Sequence, residues 1–217
     1  EGSTIYLEND YTQEGKEPLS ITKSLTIDGK GHTIDGQGKN SIFFIGGFSK
    51  TTFKNINFIN GNSGNDGGAI DCAGSVTVIN STFEHNAARY GGAIYTSGNS
   101  FTVISSSFKD NTATRDGGAI FSSGDNLIVK DSTFEDTTAG VDGGAIRCFD
   151  SVTVTNSTFT DTTAKEDGGA IVASSITVTN STFTDTTSGW SGGAIYGYSV
   201  TVSGSTFNDN FAKKNGA

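Results

Sequence analysis

The tetrapeptide Gly-Gly-Ala-Ile begins at Gly67, Gly91, Gly117, Gly143, Gly168 and Gly192, in steps of 24, 26, 26, 25 and 24 residues. A period of this length makes one short unit the building block of the fold, and such a unit buries its apolar face only against its neighbours. Each unit carries three apolar segments. The first is Ile146, an outward residue and a small inward one; across the units that small slot holds Cys72, Thr96, Ser122, Cys148, Ala173 and Gly197. The second is Val152-Thr153-Val154, whose period-2 alternation turns the valines inward and the threonine outward. The third ends on a phenylalanine that recurs as Phe83, Phe108, Phe134, Phe159, Phe183 and Phe207.

Three strands of three to five residues, with their corners, account for a unit of this length. A hairpin meander would turn every ~8–12 residues and would not return one residue type to one face. The expected fold is therefore all-β: a single-stranded parallel β-helix with three short strands per turn and a core column of stacked phenylalanines. The glycine pair serves a corner, which needs a positive φ or a close backbone approach. No helix follows it, so it is not a phosphate loop. Residues 1–47 read as an N-terminal cap with two or so irregular turns, marked by Ile5 and Leu7, Leu19 and Ile21, and Leu25 and Ile27. Residues 48–217 read as regular repeats of the same continuous domain. Lys213-Lys214-Asn215-Gly216-Ala217 looks like the start of another unit, and with the abrupt start at Glu1 both ends read as cuts in a longer protein.

Composition narrows the partners. A net charge of -9 in 217 residues leaves no basic stripe for a phosphate backbone, so nucleic acid is not expected as a partner. No apolar run is long enough to span a bilayer as a helix. The two cysteines, Cys72 and Cys148, occupy the same slot three units apart. At about 4.8 Å per unit they lie roughly 14 Å apart, beyond disulfide reach, and read as buried free thiols.

Gly-Gly-Ala-Ile paired with Phe-x-x-Asn resembles the repeat of chlamydial polymorphic membrane proteins. The segment Leu25-Thr26-Ile27-Asp28-Gly29-Lys30-Gly31-His32-Thr33-Ile34-Asp35-Gly36, followed by Phe58-Ile59-Asn60-Gly61-Asn62, is similar to adhesin-like surface proteins of methanogenic archaea. The resemblance covers nearly the whole chain. It implies a right-handed parallel β-helix displayed extracellularly on a cell surface, working in attachment to a protein or glycan of another cell. The asparagine departs from the pattern: it stands at Asn86, Asn111 and Asn210 but gives way to Thr137, Thr162 and Thr186 in the middle units.

Several columns could carry chemistry. His85, Asp110, Asp136, Asp161, Asp185 and Asp209 follow the core phenylalanines by two residues. The five carboxylates either bond to corner amides or bridge Ca²⁺, and Asp66, Asp116, Asp142 and Asp167 before the glycines pose the same choice. Asn80, Asn156 and Asn180 open Asn-x-Ser/Thr triplets, as N-glycan acceptors or as rungs of an internal ladder satisfying backbone groups. Outward Thr77, Thr102, Thr153, Thr177 and Thr201 are good strand formers, or a regular hydroxyl array that could meet ice. No cofactor is expected, calcium aside.

A catalytic site of the lyase or hydrolase kind needs a singular cluster of acids and bases. His32, His85, Arg89, Arg115 and Arg147 are spread over separate turns, and no break in the repeat is visible, so the chain is not expected to be an enzyme. The positions that do vary from unit to unit are the loop before the glycines and the outward residue after the isoleucine. Arg89, Tyr90, Tyr95, Arg115, Phe121, Arg147, Val172, Trp190, Tyr196 and Tyr198 fall on that one flank. Tyr, Trp and Arg are the residue types of binding hot spots, and the flank is the candidate partner site. The expected function is an adhesin-like stalk or binding scaffold, with a carbohydrate-active enzyme, a pure spacer or an ice binder as rivals.

Overall fold

β-Branched residues alternating with small polar ones favour extended backbone. In a computed structural model, which describes residues 2–215, they form strands that pair in parallel with their equivalents one turn away. Val78 meets Val103, and Phe83 meets Phe108. The coil thus closes after one repeat, and its strands fall into three sheets of fifteen, nine and six members.

The nine-stranded sheet carries the phenylalanines. From Phe58 through Phe83, Phe108, Phe134, Phe159 and Phe183 to Phe207, successive rings stack with centroids 4.7 or 4.8 Å apart. Burying each ring from Phe58 to Phe183 stabilises by about 1.5–3 kcal/mol, and pairing adds about 0.5–1.5 kcal/mol; Phe207, at the end of the column, is exposed. Cys72 and Cys148 lie free in the core, and burial pushes the Cys72 thiol up to about 11.

Three features depart from the sequence expectation. A further two-residue strand appears in each regular turn, as in Ala87–Ala88, Thr112–Ala113 and Thr163–Ala164, and builds the six-stranded sheet; two residues are too few to show a period. The isoleucine and valine strands share one sheet, because they fuse in Ile171–Thr179 and Ile195–Ser203. Val152 pairs with Ile176, and one residue fewer separates Ala173 from Ile176 than separates Cys148 from Val152, so the corner straightens. Finally, residues 2–47 coil as two turns in register with the rest: Leu25–Asp28 pairs with both Ser3–Tyr6 and Lys50–Lys54. No separate capping element stands among them. At that end the core opens into an apolar cavity of about 480 Å³ between Ile5, Leu19, Leu25 and Phe43. The expected further unit pairs as far as Asn215, which bridges Ser191; Glu1, Gly216 and Ala217 lie outside the described residues.

The corners explain the polar columns. Gly143 has φ +65°, and a Cβ on Gly144 would collide with the carbonyl of Gly169 one turn on, so the pair needs glycine for both expected reasons. Inside the next corner, the amides of Asn86 and Asn111 donate to the carbonyls of Phe58 and Phe83 at 3.2 and 2.9 Å. Thr162 and Thr186 instead donate to Gly169 and Gly193, both at 2.7 Å. At Thr162 and Thr186 the Asn-to-Thr departure therefore keeps a hydrogen bond in the core and changes its partner, whereas the buried Thr137 hydroxyl has no partner among the described residues.

Candidate functional site

The loop before each glycine pair and the outward residue after each isoleucine do face one flank. In the loop, Oδ1 of Asp116, Asp142 and Asp167 accepts the backbone N–H of Asp142, Asp167 and Ser191 one turn on, at 3.1, 3.2 and 3.0 Å. This is the corner-amide role expected of that column, filled by three of its four members; the Tyr90 N–H bonds to the Asn65 carbonyl at 3.0 Å, and among the described residues the Asp66 carboxylate accepts no amide. Tyr90 interrupts it, since a phenol ring has no carboxylate to offer. Its ring lies 5.1 Å from that of Phe121, tilted by 56°.

Phe121 is the centre of the cluster. Tyr95, in register on the neighbouring strand, stacks on it at 5.4 Å with 5° between the planes, and Phe149 meets it edge-on at 5.3 Å. The sequence places Phe121 on an exposed flank; it is 4% exposed. The pleat does point it outward, but Tyr90 on one side and Phe149 on the other cover it. Val172, at 6%, is buried in the same column. Together with Asp66, Arg115, Asp116 and Ser123 the four rings line a cleft of about 390 Å³, within the size range of small-ligand pockets.

All three arginines of the chain are held here. The guanidinium groups of Arg89 and Arg115 lie over Tyr90 at 5.2 and 5.8 Å, and that of Arg147 over Phe149 at 4.9 Å. Arg147 also donates to the Cys148 carbonyl at 2.7 Å and approaches Asp142 at 3.9 Å. At the other end stand Asp66 and Asp71. Burial raises both, with Arg89 opposing the shift at Asp66, while Asp66 adds to the shift at Asp71 and that carboxyl reaches about 6.

Residues 5–183 match the family model described as "Right handed beta helix region". The chain belongs to the right-handed β-helix family. No curated protein and no solved structure matches it. The family match gives the coil its handedness, in keeping with the general preference of parallel crossover connections.

The rest of the candidate flank is a second surface of the β-helix. Tyr196 shares the outward column with Tyr95 but is four strands away, about 19 Å at 4.8 Å per strand. It lines an open depression with Ile195, Val200 and Asn215. Trp190 lies under the Lys214 ammonium at 4.5 Å, and Tyr198 is 95% exposed. Trp190, Tyr196 and Tyr198 therefore do not contribute to the cleft. Phe149 and Asp71 do belong to it or border it, and the sequence reading passed over both. Each had a signal: Phe149 stands where other turns have Ala73, Ser97 and Ser123, and Asp71 is the one acid after a repeat isoleucine.

The other columns have backbone explanations. Asp110, Asp136, Asp161, Asp185 and Asp209 have φ of 51° to 53°, the left-handed region that Asp and Asn tolerate. That conformation, rather than amide bonding, accounts for the residue type, and among the described residues no three metal-ligating side chains converge. Asn80, Asn156 and Asn180 are left-handed too, at 48° to 51°. The first two donate to side chains one turn back, Asn80 to Asn55 at 2.7 Å and Asn156 to Asp131 at 3.0 Å, forming an external ladder where an internal one was expected. The outward threonine column runs in register through Thr26, Thr52, Thr77, Thr102, Thr153, Thr177 and Thr201, with Ile128 interrupting it.

Proposed function

We propose that this β-helix is a segment of a cell-surface adhesin, displayed outside the cell, that holds a saccharide of another cell's surface in the cleft around Phe121. The observation that carries the reading is the concentration of four aromatic rings and all three arginines at one place on the coil. Aromatic rings pack against the C–H faces of a pyranose, and Arg115, Asp66 and Asp116 offer donors and acceptors to its hydroxyls. The proposed role is binding without cleavage. A glycan array probed with the protein and with Tyr90→Ser tests it. The expected result is a defined set of saccharide hits, weakened about tenfold or more by the substitution, with no release of reducing ends. An empty array, or hits indifferent to the substitution, would remove the cleft as the site; reducing ends would turn the reading to catalysis.

A further inference from the structure

One carboxylate beside the cleft is left unanswered by the protein. Asp71 is the outward residue of Ile70–Cys72, in register between Phe44 and Tyr95 on the strands to either side. With strands about 4.8 Å apart, two aromatic side chains flank the carboxylate on the same face of the sheet. It is partly buried, and among the described residues it receives no hydrogen bond and no ion pair; its charged neighbour is another acid, Asp66. The cations of this flank are engaged elsewhere. Arg89 and Arg115 lie over Tyr90, and Arg147, three strands away, lies over Phe149 beside Asp142.

A half-buried carboxylate between aromatic side chains complements one kind of group above others. A positively charged nitrogen meets both the negative charge and the negative ring faces. A neutral hydroxyl would offer a hydrogen bond but leave the charge unbalanced, and an anion would face Asp66 as well as Asp71. We propose that Asp71, with Phe44 and Tyr95 on either side, takes a primary ammonium group, so that the saccharide of the cleft is one bearing free amines. This rests on the saccharide reading above and narrows it: sugar rings lie toward Tyr95 and Phe121, and an ammonium lies at Asp71.

Calorimetric titration of the protein at neutral pH with three saccharides and one peptide tests this: a glucosamine tetramer, its fully N-acetylated counterpart and cellotetraose, and a lysine tetramer. The expected result is about tenfold tighter binding of the free-amine tetramer, with Asp71→Asn abolishing the preference and leaving equal, weaker binding of all three. Thermal unfolding of the variant confirms that it folds. Equal binding of the three by the unaltered protein, or a preference that survives Asp71→Asn, would overturn the amine assignment and leave the saccharide cleft standing. No binding of any probe would overturn both, and binding of the lysine tetramer in place of the saccharides would overturn the saccharide assignment in favour of a basic peptide.

Discussion

The ring of Tyr95 lies parallel to that of Phe121, 5.4 Å from it, although the two residues are 26 positions apart in the chain. One repeat converts that separation into adjacent strands, and the same conversion brings Tyr90 and Phe149 onto Phe121.

Removing the Tyr95 ring therefore exposes one face of Phe121. Tyr95→Ser should lower stability by about 1–3 kcal/mol, from lost apolar burial and the lost ring pair. Urea unfolding reads this loss, and saccharide titration of the folded variant reads the separate loss of binding. A variant as stable as the parent would mean that the stack contributes nothing to folding.

Asp71 should give the fold an unusual pH dependence. Burial, with Asp66 adding to it, raises its pKa in the folded state from 3.8 to about 6. Between these values the folded chain holds a proton that the unfolded chain has lost, so this group's contribution to stability falls as pH rises from about 4 to 6 and stays low above. Asp71→Asn should raise the melting temperature at pH 7 and lose that advantage near pH 4. A melting difference independent of pH would contradict the assignment.

The phenylalanine column should be uneven in its sensitivity. Phe134 has stacked neighbours at 4.8 and 4.7 Å and is 1% exposed, whereas Phe207 has one stacked neighbour and is 42% exposed. Phe134→Ala should cost about 3–5 kcal/mol, and Phe207→Ala much less, as chemical denaturation of the two variants can compare.

In the carboxylate column, burial raises the Asp136 pKa and the neighbouring charges of Asp110, Glu135 and Asp161 add to it, with Lys109 opposing. Asparagine tolerates the same left-handed corner. Asp136→Asn should therefore raise the melting temperature at pH 7 and low salt, and the gain should shrink as sodium chloride screens the column. A gain that salt leaves intact would point to a cause other than repulsion.

Much of this was written in one dimension. The spacing of Gly143 from Gly168, and of Phe134 from Phe159, sets a coil of that circumference, because only stacking returns the same residue to the same inward place. The column of phenylalanines and the buried cysteines follow directly. The two-residue strand at Thr163–Ala164 was not legible, since its pairing needs the coil already formed.

The flank divides the two kinds of information most clearly. Alternation along the strand by itself determined that Phe121 points away from the core, and the repeat determined which residues share its side of the coil. Only the tertiary structure decided that Phe121 is covered, that Phe149 joins it and that Tyr196 stands too far away to do so. The physical reason is that alternation specifies direction from the sheet, whereas burial depends on what rises beside it: Tyr90 and Phe149 replace small or polar residues of other turns and close over a surface that would otherwise meet water.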